Sequence, residues 1–209
     1  GHAVSLGGMI VDSGRFDWQA SGKFPGLTQP DPSYHGLVYT EAFGAAAFIV
    51  KARAQLMRDL GSAPAPMNAF LLNLGLETLH LRMERHCRNA EAVAAYLEKH
   101  PAVSWINYPA LPSSKDAALV KKYLPRGACG VISFGVKGGR QAAVRFMDRC
   151  KLAAIVVHVA DARTGVLHPA STTHRQLTDD QLAAAGISPD LVRLSVGIEH
   201  PDDIIADLA

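Results

Sequence analysis

The alternation of strand-like and helix-like segments after Pro101 limits the fold more than any other feature of the sequence. Short apolar or alternating runs are typical of strands, and apolar residues spaced three or four apart are typical of helices. Strand patterns cover residues 103–106, 129–136, 153–157 and 191–197, and helix patterns cover residues 115–124, 138–150, 178–185 and the stretch from 201 onward. Strands that alternate with helices predict an α/β domain, whose sheet need not be all parallel.

A pair of prolines, Pro64 and Pro66, marks the clearest boundary between domains. The helix pattern before it covers residues 41–60 and is followed by Gly61, a common helix end. The pattern after it runs over residues 67–100, and prolines suit only the start of such a helix. We therefore predict one continuous helix over residues 67–100 that bridges two domains.

The first 36 residues contain a predicted strand and a long irregular tract. Residues 6–12 are mostly apolar and read as a strand, whereas residues 13–36 are rich in glycine and proline. Four aromatic residues in this tract favour an ordered surface excursion over a linker. A core strand so close to Gly1 needs pairing partners from elsewhere. We therefore expect the sequence to be a piece of a longer polypeptide.

Composition excludes several classes of protein. Of 209 residues, 48% are hydrophobic and 19% charged, with a net charge of +2, which excludes a disordered chain. No basic tract indicates nucleic-acid binding. The longest apolar run, residues 45–50, is far shorter than the about 20 residues of a membrane-spanning helix. The three cysteines (Cys87, Cys129 and Cys150) form no CxxC motif, so we expect a reducing, cytoplasmic compartment.

Two sequence patterns could indicate a binding site, but each has a simpler interpretation. The histidine pairs His80/His86 and His168/His174 lack the tight clustering of zinc ligands, so no metal site is expected. Residues 135–140 contain three glycines between a predicted strand and a predicted helix, where backbone N–H groups could hold a phosphate. The segment matches no phosphate-binding motif, which favours a tight turn.

Arg193 is the candidate binding residue. It shares one face of the predicted strand with Ser195 and Gly197, whose small side chains leave room beside its guanidinium. A guanidinium in this setting needs an anion, and its planar fork fits a carboxylate. The spacing leaves two interpretations equally open: a ligand carboxylate, or an internal ion pair with Glu199 or Asp161.

The segment HPASTTH, residues 168–174, concentrates hydroxyl and imidazole groups after an apolar strand end. Loops of this composition supply orienting hydrogen bonds in many sites. Local Ser and Thr caps within a turn are the simpler interpretation.

Three long motifs together resemble one enzyme family. They are residues 67–89 (MNAFLLNLGLETLHLRMERHCRN), residues 168–174 and residues 190–199 (DLVRLSVGIE), and residues 36–44 and 130–139 support them. On these motifs the chain is identified as a member of the Cys/Met-metabolism family of pyridoxal-phosphate enzymes. Its nearest likeness is to the O-acetylhomoserine sulfhydrylase branch, and the likeness covers essentially all 209 residues.

The resemblance implies an α/β fold of the fold-type-I, aminotransferase-like class. Residues 1–66 would be the C-terminal part of the large pyridoxal-phosphate-binding domain, and residues 67–209 the bridging helix and small C-terminal domain. Gly1-His2-Ala3 is similar to the end of a stretch that follows the family's Schiff-base lysine. That lysine would lie just upstream of Gly1, and most of the cofactor site would lie outside this chain. We therefore expect no catalytic residue here.

The resemblance also implies three substrate-binding residues. The arginine that binds the substrate carboxylate falls on Arg193, and a hydroxyl near the substrate falls on Thr173. His158 stands where relatives carry Ser or Asn beside the carboxylate, and Ala160 stands where glycine is expected. A bulkier imidazole at residue 158 would narrow the site or change its charge.

The activity implied is the replacement of the acetate of O-acetylhomoserine by sulfide, which gives homocysteine in methionine biosynthesis. Pyridoxal 5'-phosphate would be the cofactor, and relatives imply a homotetramer with no nucleic-acid or membrane partner. The alternatives are a cystathionine γ-synthase or γ-lyase of the same family, or a truncated module without activity. Without the lysine, we expect the 209-residue chain alone to be inactive.

Overall fold

The computed structural model describes residues 2–209 and divides them into two compact units. One unit is Ser5–Leu72, and the other is Asn73–Ala209 with residues 2–4. Gly1, the first residue of the Gly1-His2-Ala3 stretch, lies outside the described residues. The boundary predicted after residue 66 stays a prediction.

The strand predicted over residues 6–12 is wrong. These residues form neither strand nor helix, and the side chains of Leu6 and Met9 are 89% and 88% exposed. A strand is stabilised by hydrogen bonds to a neighbouring backbone. Within residues 2–209 no segment pairs with this stretch. The stretch therefore has no backbone to pair with in the described part of the chain.

The tract over residues 13–36 is ordered, as predicted. It contains helices α1 (Trp18–Ser21) and α2 (Pro25–Thr28) and a 3₁₀ turn at Pro32–Tyr34. The Trp18 ring contacts Phe24 edge-on and stacks on Phe48, with ring centroids 5.1 and 5.6 Å apart. Aromatic pairs of this kind stabilise the tract beyond the area that they bury.

The helix predicted over residues 41–60 is present but irregular. Its parts are α3 (Tyr39–Phe43), a 3₁₀ turn (Gly44–Ala46), α4 (Ala47–Lys51), a π-helical segment (Ala52–Met57) and α5 (Arg58–Leu60). Gly44 has φ 50°, a conformation that favours glycine and interrupts the helix. Gly61 ends it in the left-handed region, as expected of a C-cap.

Residues 67–100 are helical, as predicted, but they form two helices and not one. The helices are α6 (Pro66–Glu77) and α7 (Leu79–Lys99), and they are separated at Thr78. The Arg82 guanidinium donates to the Gly75 carbonyl oxygen and to the Thr78 hydroxyl. These bonds satisfy groups that the helix end would otherwise leave unpaired, so the break is stabilised by a side chain one turn further on.

The four strand patterns after Pro101 are confirmed, and a fifth strand that was not predicted joins them in one sheet. In chain order the strands are β1 (Val103–Asn107), β2 (Val131–Val136), β3 (Ala154–Ile155), β4 (Gly165–Leu167) and β5 (Leu191–Ser195), and in the sheet their order is β1-β2-β5-β4-β3. The β3–β4 pair is parallel and the other pairs are antiparallel. Strand β4 has only three residues, too short to show a period of its own in the sequence.

Helices α8 (Ala117–Tyr123), α9 (Gly139–Arg149), α10 (Asp179–Ala184) and α11 (Pro201–Leu208) lie between or after the strands. The core is formed mainly by β2, β5 and α7, with Ile132, Val192 and Leu194 at 0% exposure. Helix α10 begins with a reciprocal capping box between Thr178 and Gln181.

The start of β5 is held against β1 by Asp190. One carboxylate oxygen of Asp190 accepts hydrogen bonds from the Ser104 hydroxyl, at 2.8 Å, and from Trp105 Nε1, at 3.0 Å. Gly135 of β2 lies directly beneath these three side chains, so a Cβ atom there would overlap all of them. A glycine at this position is therefore required by space.

We expect Gly135→Ala to lower the free energy of unfolding by about 1–3 kcal/mol, because the added methyl group overpacks the Asp190 cluster. Urea unfolding followed by circular dichroism measures this change. Gly8→Ala is the matched control, since a Cβ at residue 8 meets no atom within 4 Å. Equal stability of the two variants would contradict the packing argument.

Candidate functional site

Arg193 lies in the middle of β5, between two paired neighbours. It is opposite Ser133 on β2 and Leu167 on β4. The adjacent residues Val192 and Leu194 are fully buried in the core, so the guanidinium projects to the other face of the sheet. There its Nη2 donates a hydrogen bond to the carbonyl oxygen of Val157, at 2.7 Å.

The internal ion pair considered for Arg193 is wrong. The two oxygens of Glu199 accept from the Thr164 backbone N–H, at 2.7 Å, and from the Thr164 hydroxyl, at 2.9 Å. The carboxylate of Asp161 is bound by His158 and Arg163. Within residues 2–209 no acidic oxygen lies within 4 Å of the Arg193 side chain. The guanidinium is anchored by a neutral carbonyl, and its positive charge has no acidic partner in this part of the chain.

Burial further disfavours the positive charge of Arg193. Arg193 is partly buried, and this desolvation lowers the pKa of its guanidinium. A partly desolvated cation is stabilised by an anion that forms charge-assisted hydrogen bonds. Of the two interpretations left open by the sequence, the geometry supports a ligand carboxylate.

His158 follows Val157 directly and is held by a buried carboxylate. Its Nε2 lies 2.9 Å from Oδ2 of Asp161, whose side chain is only 7% exposed. The same carboxylate accepts from the backbone and the guanidinium of Arg163. Burial alone would raise the pKa of Asp161, but the hydrogen bonds from Arg163 and His158 outweigh it and lower the pKa to about 2. The carboxylate is therefore ionised and orients the imidazole.

Ala160 closes the turn between His158 and Asp161 in a strained conformation. Its φ is 60°, in the left-handed region that residues other than glycine rarely adopt. Its N–H donates to the Ser195 hydroxyl, at 2.9 Å. Ser195 is two residues beyond Arg193, so the turn is fastened to the strand that carries the arginine.

The loop over residues 168–174 is built from local hydrogen bonds, which supports the turn interpretation. His168 is completely buried, and the hydroxyls of Ser171 and Thr172 bond back to it. Thr173 is exposed, and its hydroxyl lies 2.9 Å from His174 Nδ1. The described residues contain no hydrogen bond from Thr173 to Arg193 or His158. The structure thus brings the Arg193 and His158 segments together and places Thr173 on a separate loop.

The glycine turn at residues 135–140 has two successive residues with positive φ, Gly138 at 100° and Gly139 at 68°. The tight-turn interpretation explains why glycine is needed there. Arg140 donates to the carbonyl oxygen of Ala170 and pairs with Asp179. It thereby ties the loop over residues 168–174 to α9, a role that sequence spacing does not reveal.

Several residues at the site act through their backbone and have no sequence signal. Val157 supplies a carbonyl to Arg193, and Pro189 supplies one to His168. Val196 supplies a third carbonyl, whose oxygen lies 2.7 Å from Nδ1 of His86, a buried residue of α7.

In residues 2–209 no group of three His, Cys, Asp or Glu side chains is placed to hold a metal ion. No helix of this part of the chain is long and apolar enough to cross a membrane.

A family model described as Cys/Met metabolism PLP-dependent enzyme matches residues 1–209. The chain belongs to this family. The match confirms the resemblance of the sequence motifs to Cys/Met-metabolism enzymes, and the mixed sheet agrees with their fold-type-I, aminotransferase-like architecture.

Similar Cys/Met-metabolism proteins include a homocysteine synthase of Schizosaccharomyces pombe, 52% identical over 210 residues, and an O-acetyl-L-homoserine sulfhydrylase of Leptospira meyeri, 49% identical over 217. Each alignment covers all of this chain and 49% of the relative. A solved structure of a putative O-acetylhomoserine (thiol)-lyase from Campylobacter jejuni, which carries a pyridoxyl-lysine phosphate, matches with a TM-score of 0.82 and 42% identity. This match covers 88% of this chain and 44% of that one. The chain spans about half the length of the curated relatives it matches.

We expect Ala160→Gly to raise the free energy of unfolding by about 0.5–1 kcal/mol. A left-handed φ costs a residue with Cβ about 1–2 kcal/mol, and the greater freedom of glycine in the unfolded chain returns only part of this gain. Thermal unfolding measures the change. Ala162→Gly is the matched control, because Ala162 has no positive φ. This control variant should be less stable than wild type. An equal loss of stability in both variants would show that the backbone of Ala160 is not strained.

We expect Asp161→Asn to lower the free energy of unfolding near neutral pH by about 1–3 kcal/mol, because it removes a buried charged acceptor. The pKa of Asp161 is about 2 in the folded protein and about 3.9 in an unfolded chain. The ionised carboxylate therefore stabilises the folded state fully at pH values above the unfolded pKa. This stabilisation is lost as the pH falls through 4 towards 2.

The stability gap between wild type and Asp161→Asn should therefore shrink in acid. Urea unfolding at several pH values tests this, with Asp148→Asn on the exposed face of α9 as the control. A gap that is constant down to pH 2 would show that the Asp161 charge does not stabilise the fold.

Proposed function

We propose that this chain supplies the substrate-carboxylate site of a pyridoxal-phosphate-dependent O-acetylhomoserine sulfhydrylase. The reaction replaces the acetate of O-acetylhomoserine by sulfide and gives homocysteine, a step of methionine biosynthesis. The observation that carries the proposal is Arg193, a partly buried cation anchored to the Val157 carbonyl with no acidic partner in residues 2–209. The names of the relatives support the substrate and the reaction.

In this proposal Arg193 binds the α-carboxylate of the substrate. One Nη2–H is occupied by Val157, and the remaining N–H groups of the guanidinium are available for carboxylate oxygens. Fixing this end of an amino acid determines which bond at Cα faces the reacting group, and such orientation is a large part of catalysis.

His158 and Thr173 are the other proposed contacts. The imidazole of His158 is oriented by Asp161 and adjoins the peptide group that anchors Arg193. Thr173 is exposed, and its hydroxyl, which lies 2.9 Å from His174 Nδ1, can both donate and accept hydrogen bonds. Both side chains would line the carboxylate end of the substrate.

The residues around Arg193 fit an amino-acid carboxylate, and they do not fit the aldehyde end of pyridoxal phosphate. Residues 157–164 and 168–174 include no lysine. Within residues 2–209 the lysine ammonium groups with hydrogen-bond partners are those of Lys51, bound to Asp31, and Lys137, bound to the Pro101 carbonyl. The lysine that binds the cofactor would belong to the part of the relatives that this chain does not span. When bound, the cofactor supplies an electron sink for the substrate carbanion.

A homo-oligomer, in the form of a tetramer, and a cytoplasmic location complete the proposal. Helix α6 exposes a series of large apolar side chains, with Met67 at 64%, Phe70 at 60% and Leu76 at 60%. Exposed apolar surface of this kind is typical of contacts with another chain. The three cysteines are free thiols, which supports a reducing compartment.

In the complete enzyme that contains this chain, we expect Arg193→Gln to raise KM for O-acetylhomoserine by about ten- to a hundredfold, because a charge-assisted contact of about 1.5–3 kcal/mol is lost. Steady-state assays with sulfide measure this. Arg145→Gln, an exposed position of α9, is the control and should leave KM unchanged. An unchanged KM in the Arg193 variant would overturn the carboxylate site.

The choice of nucleophile separates the proposed reaction from that of a cystathionine γ-synthase. We expect turnover with sulfide to exceed turnover with cysteine at equal concentrations. A preference for cysteine would assign the chain to the other branch of the family, and an absence of turnover with both would favour a module without activity.

A further inference from the structure

His168 is a completely buried, polar residue at the junction of two neighbouring strands. It directly follows β4, at 0% exposure, and both of its ring nitrogens have partners. Nε2 lies 2.8 Å from the carbonyl oxygen of Pro189, and Nδ1 lies 2.8 Å from the hydroxyl of Ser171. A buried imidazole without these partners would be costly, so both bonds matter to the fold.

The chemistry of the two partners fixes the tautomer. A carbonyl oxygen only accepts, so Nε2 carries the proton and donates to Pro189. In the neutral ring Nδ1 is then the acceptor, and the Ser171 hydroxyl, 2.8 Å away, donates to it rather than to the His168 carbonyl oxygen at 3.4 Å. The ring therefore joins two different segments through two bonds of opposite direction.

These segments carry two of the proposed substrate contacts. Pro189 lies just before β5, which bears Arg193, and Leu167 next to His168 is paired with Arg193 itself. On the other side, Ser171 and Thr172 bond back to His168 and shape the loop that ends in Thr173. The imidazole thus spans the gap between the Thr173 loop and the start of the Arg193 strand.

We propose that His168 is a positioning residue for substrate recognition, whose Nε2–H bond to the Pro189 carbonyl fixes the loop over residues 169–174 relative to Arg193. The ring touches no substrate and acts through the two segments that it joins. This inference rests on the proposed function, because it assumes that Arg193 and the Thr173 loop bind one substrate.

Two variants separate the two bonds. His168→Gln places an amide nitrogen near the position of Nε2 and retains a donor for Pro189. His168→Asn is shorter, so it retains only a partner for Ser171. Both remove the ring, and the asparagine also lacks one methylene group of the glutamine, so the melting temperature of each variant is needed to separate lost packing from the lost bond.

The readout is the dissociation constant of the complete holoenzyme for L-norvaline, an amino acid without a leaving group, measured by calorimetry well below the melting temperature of each variant. We expect His168→Asn to bind about tenfold more weakly than wild type and His168→Gln to stay within about threefold, because only the asparagine loses the bond to Pro189. KM for O-acetylhomoserine should follow the same order. Equal dissociation constants for the two variants, or values that simply follow the melting temperatures, would overturn the positioning role.

Nitrogen-15 NMR of the labelled wild-type holoenzyme tests the same bond if the variants do not fold. We expect the His168 ring to carry a proton on Nε2. A ring protonated on Nδ1 instead could not donate to Pro189 and would overturn the inference.

Arg193→Gln in the same L-norvaline measurement distinguishes the two proposals. If this variant binds as tightly as wild type, the proposed function fails whatever the His168 variants do. If it binds weakly while the glutamine and asparagine variants of His168 bind equally, only the positioning role fails.

Discussion

The backbone hydrogen bonds of β5 are the interaction on which the rest of the site depends. This strand pairs with β2 on one side and β4 on the other, so its residues cannot shift without breaking two ladders. Arg193 takes its direction from that register, and Ser195 uses the same strand to hold the turn at Ala160. The candidate site is therefore built on a rigid element, with the loops fastened to it by side chains.

The distribution of partners among charged groups is the second determinant of the site. The carboxylates of Asp161 and Glu199 lie in the same region as Arg193, yet backbone N–H groups, a hydroxyl, an imidazole and Arg163 satisfy them. Asp161 thus stabilises the loop on which it lies, and Glu199 holds Thr164 from the segment after β5. The Arg193 guanidinium forms no ion pair within residues 2–209, so its remaining N–H donors are not taken up by these acids.

Features determined by neighbouring residues could be predicted from the sequence. The strand pattern of β5 and the helix end at Gly61 depend on neighbouring residues and are confirmed. Features that need distant partners could not be predicted. Residues 6–12 have a strand-like pattern but no pairing backbone, and the break at Thr78 depends on the reach of Arg82 back to Gly75. The bond from Arg193 to Val157 involves a carbonyl, which every residue has, so no residue type could have indicated it.

The bond between Trp105 and Asp190 gives the protein an internal optical probe. The chain has two tryptophans, and the indole nitrogen of Trp105 lies 3.0 Å from a carboxylate oxygen at the start of β5. Emission from an indole responds to a charge so close to its ring, so light from Trp105 reports on the segment that leads to Arg193. Trp18, stacked on Phe48 within Ser5–Leu72, has an environment of its own and supplies a second signal. Movements of the strand can thus be followed in solution without attaching a dye.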